Sequence, residues 1–217
     1  EVTIGKTEKM SKSLKNVVDP DYLVRQYGAD TARIFCLFAA PPEKDLEWSE
    51  QGVDGAFRFL NRTWRIVMDY LEDVQDLKPC DGSDPIEGEL KNFRRKVHQT
   101  IRKVSSDVED RFHFNTAISR IMELVNSLYL YIQDVEPKLQ HQKIIEDSQV
   151  TIILLLAPFA PHFAEELWEK IRKPYSIFNE SWPQYDEAKT TKKTVPIVIQ
   201  INGKVRATIE CELDTND

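Results

Sequence analysis

A lysine- and serine-rich segment near the start of the sequence carries the residue types best suited to chemistry. Its centre is the KMSKS loop, formed by five consecutive residues: Lys9, Met10, Ser11, Lys12 and Ser13. A lysine ammonium is a compact point charge with three donors, and serine hydroxyls and loop amides add hydrogen bonds to phosphate oxygens. Such groups lower a barrier where they meet charge that develops on a leaving pyrophosphate. The loop therefore predicts a triphosphate site, and a solvated polar loop is the alternative.

Two predicted helices follow the loop and attach it to the rest of the chain. Asp19 is a suitable N-cap with Pro20 at the first helical position, and Gly28 is a suitable C-cap. Asp30 can cap a second helix through Ala40, where two prolines stop it. We therefore expect helical structure directly after the loop.

A long amphipathic helix is predicted after Ser49, which is a good N-cap. Apolar residues recur at alternating steps of four and three, and Arg58 and Arg62 fall on the opposite side. The predicted apolar stripe comprises Val53, Phe57, Leu60, Trp64, Val67, Leu71 and Val74.

Further helices are predicted beyond this one. An apolar stripe runs from Phe93 to Val108, Asn115 can cap the next helix, and others cover 143–157 and the residues after Pro161. Together they predict a mainly α fold, an antiparallel bundle of four or five helices.

The end of the sequence has a different pattern. Apolar residues alternate from Val195 to Ile201 and again from Val205 to Leu213, with Asn202-Gly203 between them. Asn-Gly between alternating runs predicts a β-hairpin. Because an isolated hairpin is marginal in water, it either docks on the bundle or begins a further domain. The expected division is 1–48 with the loop, 49–185 helical, and 190–217 with the hairpin.

Charge and glycine content narrow the classes of protein. The 217 residues include 29 Lys+Arg and 36 Asp+Glu, so that 29 − 36 gives a net charge of −7. This balance excludes a surface that attracts nucleic acid everywhere, although basic residues can still cluster locally. Seven glycines are about 3% of the chain, below the usual level near 7%, which favours helices.

Cysteines, histidines and apolar runs exclude several kinds of site. The three cysteines are far apart without a CxxC pair, and the four histidines form no HExxH pattern, so neither a disulfide framework nor a zinc site is indicated. No secretory leader occurs, and no apolar run reaches the roughly 18 residues of a membrane span. We expect a cytoplasmic protein without membrane contact and without metal ligands of its own in this stretch.

The KMSKS loop resembles the second signature of the class I aminoacyl-tRNA synthetases. The residues at 16–20 and 27–33 are similar to its continuation in the leucine, isoleucine and valine enzymes. Other segments resemble the leucyl-tRNA synthetases, the bacterial type most: 40–48, 58–62, 156–162, 165–168 and 198–206. One departure is Leu14-Lys15, where many relatives have Lys-Gly or Lys-Asn.

The resemblance implies a two-step reaction and roles for the loop residues. Leucine attacks ATP, with Mg²⁺, to give leucyl-adenylate and pyrophosphate, and the leucyl group then moves to the terminal ribose of tRNA(Leu). Lys12 stabilises the transition state of the first step and Lys9 is the supporting cation. All five loop residues are candidates for ATP binding: Lys9, Met10, Ser11, Lys12 and Ser13.

Contacts with tRNA are predicted at two places. Arg58 and Arg62 lie four residues apart on one helix face, and Lys204 and Arg206 lie beside the hairpin turn. Lys91 to Lys103 carries six basic residues and no acid, which suits either RNA binding or a solvated face.

The same resemblance shows what the sequence lacks. The first signature of the class, a His-Ile-Gly-His segment, and the editing domain are absent, and the chain starts at Glu1 without a methionine. We therefore expect this stretch, taken alone, to be inactive and to belong to a longer enzyme that works as a monomer. The alternatives are a valyl- or isoleucyl-tRNA synthetase and a stand-alone helical RNA-binding module.

Overall fold

A computed structural model describes residues 8–11, 13–75, 77, 86–136, 141–191, 194–201 and 204–212. Its elements run in the order α1 (Pro20–Tyr27), α2 (Ala29–Ala39), α3 (Glu50–Val74), α4 (Gly88–Glu109), α5 (Phe114–Asp134), α6 (Gln142–Leu156) and α7 (Pro161–Lys170). A 3₁₀ turn (Ile177–Asn179), α8 (Glu187–Thr190), β1 (Thr194–Ile201) and β2 (Lys204–Glu212) follow. The mainly α fold with a terminal hairpin is confirmed.

The helical bundle is arranged around α5, which packs against α2, α3, α4 and α6. α7 completes the bundle by packing against α3 and α6. Burial of apolar side chains supplies most of the stability of such helices, because isolated helices of this length are marginal in water. The largest fully buried side chains are Tyr70, Phe35, Ile34, Ile118, Ile121, Leu124, Leu128, Ile145, Ile152, Ile153, Leu155 and Leu156.

The start of α3 matches the prediction, but its buried face is wider than the predicted stripe. Ser49 Oγ accepts from the backbone N–H of Gly52 at 3.2 Å and caps the helix. Phe59 and Tyr70, outside the predicted stripe, are buried, whereas Phe57, inside it, is 39% exposed. Because three helices, α2, α5 and α7, pack against α3, the buried arc exceeds a single stripe.

The predicted caps of α2 and α5 are wrong, whereas Asp19 does cap α1. Gly28, with φ +85°, separates α1 from α2, and Asp30 lies in the first turn of α2. The Asp30 carboxylate instead accepts from the backbone N–H of Phe163 at 2.6 Å, at the start of α7. Asn115 lies inside α5, whose preceding residue His113 provides no side-chain cap.

The hairpin strands are antiparallel and carry one irregularity. Ile199 pairs with Ala207 and Gln200 pairs with Val205, so that Arg206 is the extra residue of a bulge. Exposed apolar side chains are found on both strands: Val198, Ile199 and Val205. The predicted turn residues 202–203 lie outside the described residues. Among the described helices, none is long and apolar enough to cross a membrane.

Candidate functional site

The serines of the KMSKS loop form hydrogen bonds with each other and with Leu14, the residue that follows the loop. Ser11 Oγ lies 3.1 Å from Ser13 Oγ and accepts from the backbone N–H of Leu14 at 3.3 Å. Lys9 is exposed and Met10 is 41% exposed, whereas Ser11 is half-buried. The serines therefore shape the turn, and Lys9 projects into solvent.

Lys9 is free to meet an anion. Within the residues that the structure describes, its ammonium forms no ion pair with a carboxylate. Lys12, the predicted transition-state lysine, lies outside the described residues.

Asn16 joins the loop to the chain that leads into α1. Its Oδ1 accepts from the backbone N–H of Ser11 at 2.9 Å, and its Nδ2 donates to the backbone oxygen of Lys9 at 3.4 Å. Lys15 has φ +54°, a left-handed conformation that favours glycine and asparagine. The noted departure from Gly or Asn therefore falls on the residue that turns the chain back toward the loop.

α1 connects this loop to the bundle. Asp19 Oδ1 accepts from the backbone N–H of Asp21 at 3.0 Å and caps α1. At the other end, the Tyr27 ring meets Phe57 of α3 edge-on at 5.6 Å. A hydrogen bond with Asp54 raises the pKa of the Tyr27 hydroxyl, which keeps this hydroxyl a donor. α1 is thus anchored on α3 through its last residue.

Arg58 and Arg62 are both exposed on α3, as predicted for a face that could meet RNA. Arg62 donates from a terminal nitrogen to Asn126 Oδ1 of α5 at 2.7 Å, which fixes its direction. Beside it, a cleft of about 440 Å³ lies between α3 and α5. The cleft is lined by Arg62, Arg65, Ile66, Asp69, Asp73, Tyr129, Ile132 and Gln133.

The basic stretch on α4 is partly covered by the segment that follows α7. Arg102 pairs with Glu187 at 2.6 Å, and Gln99 Nε2 donates to the backbone oxygen of Thr190 at 2.7 Å. Next to them, His98 Nδ1 accepts from the backbone N–H of Asp186 at 3.2 Å, and burial lowers the pKa of His98. This part of α4 therefore serves packing within the chain.

Lys204 and Arg206 are exposed on β2, where Lys204 is the first residue and Arg206 is the extra residue of the bulge. They lie on a different element from the α3 arginines. Among the described residues, no group of three or more His, Cys, Asp or Glu side chains could hold a metal ion.

Two asparagines with a part in these sites were missed by the sequence reasoning. Asn126 lies 64 residues from Arg62, so that no local pattern signals the pair. Asn16 is close enough to the loop to be suspected, since an asparagine side chain often bonds nearby backbone groups.

Comparison with known families shows where the chain belongs. The family "tRNA synthetases class I (I, L, M and V)" matches residues 2–49, and the family "Anticodon-binding domain of tRNA ligase" matches residues 91–217. A leucine–tRNA ligase of Syntrophus aciditrophicus is 60% identical over 210 residues, which cover 96% of this chain and 24% of that protein. One from Desulfatibacillum aliphaticivorans is 48% identical over 220 residues, which cover 100% and 25%.

A solved structure extends the similarity to the fold. The crystal structure of a LeuRS–tRNA–LeuAMS ternary complex from Agrobacterium radiobacter K84 matches with a TM-score of 0.77 and 32% identity. The match covers 96% of this chain and 26% of that one. The chain spans about a quarter of the length of the relatives that it matches. The chain belongs to the family of anticodon-binding domains of tRNA ligases; its residues 2–49 are similar to class I tRNA synthetases, and nearly the whole chain resembles the leucine–tRNA ligases.

Proposed function

We propose that this chain supplies the ATP-stabilising loop and the tRNA-contacting helices of a leucine–tRNA ligase. The observation that carries the proposal is the KMSKS loop, placed in the part that matches class I synthetases and followed by an anticodon-binding domain. Identities of 60% and 48% to leucine–tRNA ligases over nearly the whole chain favour leucine over valine and isoleucine. The division at 1–48, 49–185 and 190–217 is part of the proposal.

In the first step a carboxylate oxygen of leucine attacks the α-phosphorus of ATP, and the bond to the bridging oxygen breaks. Negative charge grows on the leaving pyrophosphate, and Lys9 and Lys12 are the groups proposed to meet it. Their cationic heads stabilise this charge most in the transition state, so they act on the rate more than on binding. Met10, Ser11 and Ser13 complete the ATP-binding loop. In the second step a ribose hydroxyl of tRNA(Leu) attacks the acyl carbonyl, and AMP leaves.

The proposed tRNA surface has two parts. Arg58 and Arg62 present guanidinium groups on α3, and Tyr129, which is 39% exposed, adds a ring to the lining of the cleft beside Arg62. Guanidinium and aromatic groups are suited to phosphate contacts and base stacking. Lys204 and Arg206 form the second part on the hairpin.

The proposal also covers the metal ion, the leucine-binding residues, the cellular location and the oligomeric state of the ligase. Mg²⁺ is proposed as the ion that accompanies ATP. The leucine-binding residues are proposed to lie in the part of the ligase outside this chain. We infer a cytoplasmic ligase that acts as a monomer, which sedimentation of the ligase would test.

The test uses a full-length ligase, as long as the relatives, in which this sequence occupies the quarter that it matches in them. Lys12→Ala should lower the rate of leucine-dependent pyrophosphate exchange by about a hundredfold, because transition-state contacts act on kcat. Lys173→Ala, which removes an exposed lysine far along the chain from the loop, is the matched control. An unchanged rate in the Lys12 variant would remove the loop from the mechanism.

A further inference from the structure

Asn16 makes two hydrogen bonds to backbone atoms on either side of Met10. The N–H of Ser11 donates to Asn16 Oδ1 at 2.9 Å, and Asn16 Nδ2 donates to the oxygen of Lys9 at 3.4 Å. One side-chain amide therefore satisfies a donor and an acceptor that are two residues apart. Asn16 therefore links the first half of the loop to the chain that follows the loop.

The two hydrogen bonds of Asn16 fix the backbone from which the Lys9 side chain extends. The backbone of Lys9 is held directly, and the backbone of Ser11 is held one residue before Lys12. The side chain of Ser11 bonds Ser13 and Leu14 at the other end of the loop, so the side-chain contact to the Lys9 backbone comes from Asn16. Fixing the backbone of a free loop costs conformational entropy, so a hydrogen bond that already holds the backbone before ATP binds favours the working geometry.

We propose that Asn16 is a positioning residue for ATP activation, one that sets the loop backbone from which Lys9 reaches the leaving pyrophosphate. This inference rests on the function proposed above. Asn16 does not itself touch ATP; it acts through the placement of Lys9. Its side chain is exposed, so truncating it opens no cavity in the core.

The experiment is leucine-dependent pyrophosphate exchange by the full-length ligase that carries Asn16→Ala. We expect kcat to fall about tenfold, with the KM for leucine unchanged, because a small misplacement of catalytic groups acts on the transition state. Leucyl transfer to tRNA from preformed leucyl-adenylate, followed in a single turnover, should keep its rate. Asn179→Ala, which truncates an exposed asparagine in the 3₁₀ turn, is the matched control.

Two further variants distinguish a positioning role of Asn16 from a general disruption of the loop. Asn16→Asp keeps the acceptor for the Ser11 N–H but loses the donor to Lys9, so it should recover part of the lost rate. In a Lys9→Ala background the additional effect of Asn16→Ala should shrink to about twofold or less, since residues that act as a unit are not additive.

The outcomes are distinct. The inference would be overturned if Asn16→Ala kept the wild-type rate, or if its effect were fully additive with that of Lys9→Ala. It would also be overturned if the transfer step slowed equally, or if Asn16→Ala lowered the thermal midpoint of unfolding. If the unaltered ligase shows no leucine-dependent exchange, or if both Lys9→Ala and Lys12→Ala keep the full rate, the proposed function fails instead.

Discussion

Asp30 of α2 caps the N-terminus of α7 through Phe163, across 133 residues of sequence. Its Oδ2 accepts from the Phe163 N–H at 2.6 Å, and its Oδ1 lies 3.1 Å from His162 Nδ1. The first backbone N–H groups of a helix have no partner within the helix, and the helix dipole favours a negative charge there. The contact therefore joins α2 to the start of α7.

We expect Asp30→Ala to lower the free energy of unfolding by about 2 kcal/mol, because a cap is lost and a partly buried amide is left without an acceptor. Urea denaturation followed by circular dichroism measures this change. Asp45→Ala removes an exposed aspartate and should change the free energy by less than about 0.5 kcal/mol. Equal values for the two variants would contradict the capping role.

Two ion pairs of similar length should differ in their contribution to stability. Arg120 Nε meets Asp107 Oδ2 at 2.7 Å with only 5% of the Asp107 side chain exposed. Because Arg120→Ala leaves a buried carboxylate unpaired, we expect a loss of about 3 kcal/mol in the same denaturation assay.

The matched exposed pair is Arg102 with Glu187 at 2.6 Å, whose side chains are 40% and 64% exposed. Glu187→Gln should cost less than about 1 kcal/mol, since solvent screens the pair. A cost for Glu187→Gln as large as that for Arg120→Ala would show that burial does not decide the difference.

His98 should make stability depend on pH on the acid side of neutrality. Burial, reinforced by the charge of Lys189, lowers the pKa of His98 below its usual value, and the neutral ring accepts from the Asp186 N–H. The folded state therefore binds a proton less readily than the unfolded state. The resulting stability is complete above about pH 6.5 and is lost as the pH falls through the lowered pKa of the folded state.

The check compares free energies of unfolding at pH 7.5 and pH 5.5. His98→Asn retains an acceptor for the Asp186 N–H but does not titrate, so its stability should fall less between the two pH values. An identical fall in the variant and the parent would assign the pH dependence to other groups.

Arg62→Ala should weaken tRNA binding and leave ATP activation intact. In the full-length ligase we expect the KM for tRNA to rise about fivefold to tenfold, as for the loss of one charged contact, with pyrophosphate exchange unchanged. Asn126→Ala should give a smaller rise, because it only frees Arg62. Arg172→Ala, an exposed arginine after α7, is the control. Equal losses in charging and exchange would indicate a folding defect.

The local part of this fold could be predicted from the sequence. The Ser49 and Asp19 caps depend on residues two or three positions away, and both are confirmed. The hairpin pairing follows from alternation around Asn202-Gly203. Patterns of this kind describe interactions between residues that are close in sequence, so these predictions did not depend on how distant helices pack.

The long-range part could not be predicted in the same way. Asp30 looked like a local cap, because a sequence does not show that α7 approaches it. The true buried arc of α3 depends on which helices pack against it, and this decides that Phe57 is exposed and Tyr70 is buried. The partner of Arg62 likewise comes from another helix.

Gly28 is the single residue between α1 and α2, since it ends α1 and begins α2 with φ +85°. The 8 residues of α1 contain no buried side chain and extend about 12 Å at 1.5 Å per residue. A swing of about 10° at this pivot would carry the far end of α1 through about 2 Å. A displacement of about 1 Å is enough to cost an enzyme on the order of a hundredfold in rate. In the proposed ligase, a tilt of α1 by this amount would therefore change the rate of the step at the loop.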